Sequence, residues 1–220
     1  MTDAYAEAAP VRVPAIVVCT WTRTVASEPV RATITPDGCA DMIVQPDGRI
    51  IVAGPDTGPH DAGLGRGVFV GLRFRVGAAG SALGLAASAL RDQRVPLEDV
   101  WKSDANRLVD RLAGVTTAEA RRAVLEDAVA ERVQRGAVDE DRLVLAAVAL
   151  LRRREQPVAA LAWHLGVSER QLLRRFDAAD TARRPSTACS ASGAYSARLT
   201  PRGSRSARWP WTRATPIRRT

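Results

Sequence analysis

Histidine and cysteine are scarce in this chain. It has two histidines, His60 and His164, and three cysteines, Cys19, Cys39 and Cys189, with no short spacing between them. A structural or catalytic zinc site needs several such ligands converging, so no metal site is expected. An odd, scattered cysteine set is not a disulfide framework, and a reducing cytoplasm is the simpler setting. No apolar run approaches the roughly 18 residues that span a bilayer. The opening MTDAYAEAAP puts no basic residue ahead of an apolar stretch, so neither a membrane partner nor a secretory signal is expected. G-x-S-x-G, Walker A and a complete G-x-G-x-x-G are all missing. No enzyme and no cofactor is therefore expected.

A net positive charge is lacking over most of the length. The net charge is +8, yet residues 181–220 hold nine arginines and no acid. Taking that +9 from the total leaves −1 for residues 1–180. Basicity therefore does not by itself argue for nucleic-acid binding by the folded part. Hydrophobic content of 46% is ordinary for a globular protein.

The pattern that is present divides the chain. Ile16–Val25, Val30–Ile34, Met42–Val44, Arg49–Val52 and Val68–Phe74 read as strands, with Pro46-Asp47-Gly48 suited to a tight hairpin. Gly- and Pro-rich connections fill 54–67. Short strands between turns suggest a small sandwich or barrel. From about residue 77 the period becomes helical, with short segments at Ala78–Leu85 and Ala86–Arg91. Thr116 and Glu119 have capping-box spacing for a helix running to about Val133, whose stripe is Ala123, Val124, Ala128 and Val129. Asp139–Arg154 is the clearest helix, with Leu143, Val144, Ala147, Val148 and Leu151 on one face.

The segment richest in information is Pro157–Ala178, PVAALAWHLGVSERQLLRRFDA. Val158, Leu161, Ala162 and Leu165 share one face of a short helix, and Gly166 permits a sharp turn. Val167 plugs the corner. Ser168 and Gln171 have capping-box spacing for a second helix, which buries Leu172 and Phe176 and turns Arg170, Leu173 and Arg174 outward. This is the grammar of a helix-turn-helix, whose second helix enters the major groove. Periodicity alone also fits a plain helical hairpin with a solvated basic face. His164 reads as structural.

The string A-x-x-L-G-V-S-x-R-x-L-x-R-x-F is far more specific. Leu161–Phe176 closely resembles the first helix-turn-helix of AraC/XylS-type regulators. The resemblance implies base reading by Arg170 and Arg174, thymine-methyl or sugar contact by Leu173, and a phosphate contact by Arg175. An arginine fork on guanine is worth roughly 1–3 kcal/mol of discrimination. Thr35–Ile43, Ala53–Thr57, Gly71–Arg75 with Gly77-Ala78-Ala79, and Arg94–Leu97 with Trp101 resemble the sensor domain of one AraC-type subgroup. In those proteins the sensor is a cupin-like β-barrel. The resemblance covers about residues 12–178. Within the sensor, Cys39, Asp41, His60 and Arg73 are candidates for a ligand pocket. The plainer alternatives are a small core cysteine at 39 and an Asp41 that satisfies local backbone donors. With one histidine in this region, no cupin metal site is expected.

An AraC-type DNA-binding domain has a second helix-turn-helix, entered through a linker resembling G-Y-G-P-K-T-L. Asp180–Tyr195, DTARRPSTACSASGAY, does not match it. Plausible codons for that stretch, read from the last base of the first, give Tyr-Gly-Pro-Lys-Thr-Leu-His-Arg-Val-Leu-Arg-Phe-Arg-Arg-Val, the missing linker and helix. The tail thus reads as out of frame from near Ala179. The competing account is a genuine disordered basic tail that binds nucleic acid without sequence preference.

The expectation is an α+β chain with four parts. A β-rich, cupin-like sensor spans 12–101, a helical linker region 102–136, a first helix-turn-helix 139–178, and a disordered basic tail 181–220. The expected function is one-component transcription regulation in the cytoplasm. Its partners would be double-stranded DNA through the major groove, a small-molecule effector, and a second copy of the chain as a homodimer. The rival is a stand-alone cupin-like ligand-binding module with a vestigial DNA-binding region. Among residues 181–220, Leu199 and Ile217 are the sole Leu, Ile, Val or Met. Burial on that scale does not offset roughly 1–2 kcal/mol of backbone entropy per ordered residue. Deleting 181–220 should leave the thermal midpoint of the remainder unchanged in scanning calorimetry; a cooperative loss of stability would show a folded tail.

Overall fold

The computed structural model describes residues 3–26, 30–136, 141–153 and 156–179. The expected basic tail, and the chain from Asp180 onward, lie outside the described residues. Among the described residues eight strands come first: β1 (Ala4–Ala8), β2 (Val17–Val25), β3 (Val30–Ile34), β4 (Asp41–Val44), β5 (Ile50–Ala53), β6 (His60–Leu64), β7 (Gly67–Phe74) and β8 (Arg94–Pro96). Between β7 and β8 lie α1 (Ala79–Leu83) and a 3₁₀ turn, Ala87–Leu90. The helices α2 (Leu97–Trp101), α3 (Ser103–Ala113), α4 (Ala118–Gln134), α5 (Arg142–Arg153), α6 (Val158–His164) and α7 (Glu169–Ala179) follow. The protein is α+β. None of the described helices is long and apolar enough to cross a membrane.

Six strands form one antiparallel sheet in the order β1-β2-β7-β4-β5-β8, and β3 pairs with β6 in a separate two-stranded ribbon. Side-chain alternation along a strand gives the large sheet two different faces. Val70, Leu72 and Phe74 of β7, Met42 and Val44 of β4, and Ile50 and Val52 of β5 share a core with Ala79, Leu83, Leu108, Leu112, Leu125, Ala128 and Val129 from the helices. The opposite face carries Cys19, Trp21, Val25 and Phe69 in a second cluster. Helices α3 and α4, read from sequence as a connecting region, thus bury their apolar stripes in the same core as the strands. Glu126, buried in α4, reaches the N-terminal segment. Its Oε2 accepts the backbone N–H groups of Val11 and Arg12, both at 2.8 Å.

Three strands escaped the sequence reading. β1 (AYAEA) and β6 (HDAGL) are built from alanine, glycine and acids, which carry little β-propensity, and β8 has three residues. Non-local pairing with better strands forms all three. The cap of α4 is Thr117, not Thr116: its hydroxyl accepts from Ala120 N at 3.2 Å. The stripe of α4 also includes Leu125, fully buried.

α5, α6 and α7 pack around Val144, Ala147, Val148, Leu161, Ala162, Leu172 and Phe176. Leu165 and Val167 are partly buried against them. Gly166 turns the chain with φ +66°, a region that a side chain strains. Ser168 and Gln171 cap α7 reciprocally: Gln171 N donates to Ser168 Oγ at 3.2 Å, and Ser168 N to Gln171 Oε1 at 3.0 Å.

Gly71 marks a close approach within the sheet. Trp21 is its cross-strand partner, and a Cβ at Gly71 would sit 2.0 Å from the indole Cε2. Gly71→Ala should therefore lower stability by about 1–3 kcal/mol through overpacking, read as a fall in the urea midpoint at unchanged slope.

Candidate functional site

Residues of both sheets line a cavity of about 110 Å³. A water molecule needs roughly 10–15 Å³ on the same measure, so the space suits a small organic molecule. From the large sheet come Tyr5, Trp21, Asp41, Ile43, Phe69 and Arg73; from the ribbon, Ile34, His60, Ala62 and Leu64. The structure brings Cys39, Asp41, His60 and Arg73, the four residues singled out from sequence, onto this one cavity.

Their placement follows from strand parity. Asp41 opposes Arg73 across β4 and β7, so their side chains leave the sheet on the same side. Arg73 Nε donates to Asp41 Oδ1 at 3.3 Å, and the Trp21 indole N–H donates to the same oxygen at 2.8 Å. Asp37 stands 3.6 Å from Arg73 Nη1. It is Asp37, not Asp41, that serves the local backbone, accepting from Cys39 N at 2.8 Å. Burial pushes the Asp41 carboxyl above its ordinary range, against the pull of Arg73. Burial also opposes the Arg73 cation, but Asp41 and then Asp37 outweigh it, and Arg73 holds its proton more tightly than a free arginine. The Tyr5 hydroxyl is pushed up by burial and by its hydrogen bond to Glu7.

Further residues of the lining were not found from sequence. Arg94 engages both carboxylate oxygens of Asp56 through its two Nη atoms, and both side chains are buried. That pair joins β8 to the loop after β5, a contact that no local spacing announces. Arg23 also lines the cavity; the signal for it was the alternation Cys19-x-Trp21-x-Arg23 along β2. Among the described residues, no group of three or more His, Cys, Asp or Glu could hold a metal ion.

The second candidate surface is α7. Arg170 and Arg174 are exposed, one helical turn apart, and make no ion pair among the described residues. Leu173 is half-buried between them and the core. Arg175 is half-exposed and bonds Asp141, at 3.1 and 3.0 Å to the two carboxylate oxygens. His164 Nδ1 lies 2.7 Å from the carbonyl of Ala160, one helical turn back. Trp163, its neighbour on α6, is 79% exposed.

Residues 10–96 match the family model of a domain of unknown function, DUF6597. The match spans β2 to β8 and with them most of the cavity lining. No curated protein and no solved structure matches the chain.

The Asp41–Arg73 pair supplies a test of the cavity's construction. Asp41→Asn strips the main counter-charge from a buried guanidinium and leaves the more distant Asp37. Unfolding free energy from chemical denaturation should fall by about 3–5 kcal/mol. A loss below about 1 kcal/mol would mean that the pair is solvated.

Proposed function

We propose that this chain is a one-component transcriptional regulator of the AraC type. Residues 12–101 form a cupin-like sensor that takes a small-molecule effector between its two sheets. α6 and α7 form the first helix-turn-helix of the DNA-binding domain. The observation that carries this reading is the α6–α7 unit, with its positive-φ glycine, reciprocal Ser168–Gln171 cap, buried Leu161, Leu172 and Phe176, and outward Arg170 and Arg174. The turn, the cap and the buried core would serve any helical hairpin; the outward arginines on the second helix are what a DNA reader adds. The family matched over residues 10–96 is associated with AraC-type regulators, which supports the same assignment. The reading gives the chain no catalytic activity.

Arg170 and Arg174 read base edges, and Leu173 packs against sugar or a thymine methyl. Arg175, tied to Asp141 at the start of α5, orients α7 and meets phosphate with its exposed edge. Cys39 connects sensor to reader. It lines the cavity and belongs to the α5–α7 core together with Val76. An effector that shifts Cys39 thus acts on the helices through direct packing. The mismatch from Asp180 onward favours the rival reading, a ligand-binding module whose DNA-binding region is vestigial.

A chain with its frame restored after Ala179 should select specific duplexes from a randomised pool, with affinity falling steeply as salt rises. Arg174→Ala should weaken binding to the selected duplex by about 1–3 kcal/mol and relax preference at one base, read by gel shift. Unchanged affinity and base preference would remove the assignment. Effector binding with no shift would favour the stand-alone module.

A further inference from the structure

Arg23 is 8% exposed and lines the cavity. Its Nε and Nη2 have no hydrogen-bond partner among the described residues, and it makes no ion pair there. Tyr5 opposes it across β1, and Phe69 across β7. The carboxylates of the cavity are engaged elsewhere. Asp41 and Asp37 face Arg73, and Asp56 is held by Arg94. Glu7, next in register beside Trp21, takes the Tyr5 hydroxyl at 2.7 Å. Among the described residues, none of these acids stands within ion-pair distance of Arg23.

A buried guanidinium without a partner is strongly unfavourable, and natural structures seldom keep one without a use. Arginine cannot relieve the cost by losing its proton. The two orphaned donors are also informative as a pair. Nε–H and Nη2–H lie on one edge of the guanidinium and point the same way, the spacing that matches two oxygens of one carboxylate. Beside them stand Trp21, Phe69, Ile43 and Leu64, which cluster on this face of the sheet.

We propose that the cavity binds a small organic carboxylate, its two oxygens on Nε and Nη2 of Arg23 and its apolar body against Trp21, Phe69, Ile43 and Leu64. This rests on the sensor reading and names the chemical class of the effector. Arg73 and Arg94 are already neutralised by the chain's own acids and build the walls. Arg23 is the cation left for the ligand, and the ligand completes an arrangement that the fold leaves one charge short.

The test uses the full chain and matched probes: benzoate, phenylacetate and hexanoate, their neutral amides, and inorganic phosphate. Binding is read by calorimetry and by the shift in thermal midpoint. At least one carboxylate should bind at least about 10-fold more tightly than its amide, the order of a charge-assisted bidentate contact. Arg23→Met should lose that binding while its ligand-free midpoint stays level or rises, because a neutral side chain replaces an unpaired buried cation. Arg23→Lys, which keeps the charge and loses the fork, should bind at least about 10-fold more weakly than the parent. Equal binding of acid and amide, binding of phosphate alone, or undiminished binding by either variant would overturn the proposal. A lowered ligand-free midpoint in Arg23→Met would also overturn it, since that is the mark of a structural arginine. Amides that bind independently of Arg23 would remove the carboxylate and leave the sensor reading intact. Silence from acids and amides alike would count against both.

Discussion

Strand β7 must serve two interiors at once, and most of the architecture follows from that constraint. Its even-numbered residues Val70, Leu72 and Phe74 seal against helices. Its odd-numbered residues Phe69 and Arg73 face the cavity, with Gly71 between them beneath the Trp21 ring. A slip of one residue would exchange the two sets, placing a guanidinium among the helices and phenylalanine where the ion pair belongs. The register of β2 and β4 against β7 is therefore fixed from both sides. The cavity owes its chemistry to the same parity, because Asp41 and Arg73 meet only if β4 and β7 pair as they do.

Much of this was legible in the amino-acid order. β2, β4, β5 and β7 announce themselves by alternation and β-branched residues, and the β4–β5 hairpin by Pro46-Asp47-Gly48. There Gln45 N donates to Arg49 O at 2.8 Å and closes the turn. α5 to α7 were equally plain, since their buried positions recur at helical spacing and Ser168 and Gln171 are a local pair. The four candidate ligand residues were found through family likeness rather than physics. β1, β6 and β8 were hidden because tertiary pairing overrides weak propensity. Arg23 was missed for a related reason. Its environment depends on β1 on one side and on acids that are engaged elsewhere. That its Nε and Nη2 find no partner among the described residues is a property of the fold and leaves no trace in the nearby sequence.

Among the described residues, the β-rich part and the helices α5–α7 share an apolar cluster, in which Cys39, Val76 and the partly buried Val18 join Val144, Leu161, Leu172 and Phe176. Densely packed interiors transmit strain because they have little free volume to absorb it. Cys39 also follows Asp37, which holds the Cys39 N–H with one oxygen and stands near Arg73 with the other. Cavity electrostatics and helix packing thus share the three-residue segment Asp37–Cys39.

The grip of Glu126 on Val11 and Arg12 reaches across 115 and 114 residues of chain. It makes the strands and the helices α3 and α4 a single closed loop rather than a barrel with an appended connector. Closing a loop of that length costs chain entropy, which the packing of α4 against the strands helps to offset. A piece that keeps this backing of the cavity's sheet runs to the end of α4. A fragment ending at Trp101 would keep every side chain that lines the cavity, and would lose the helical backing that keeps the other face of its sheet dry.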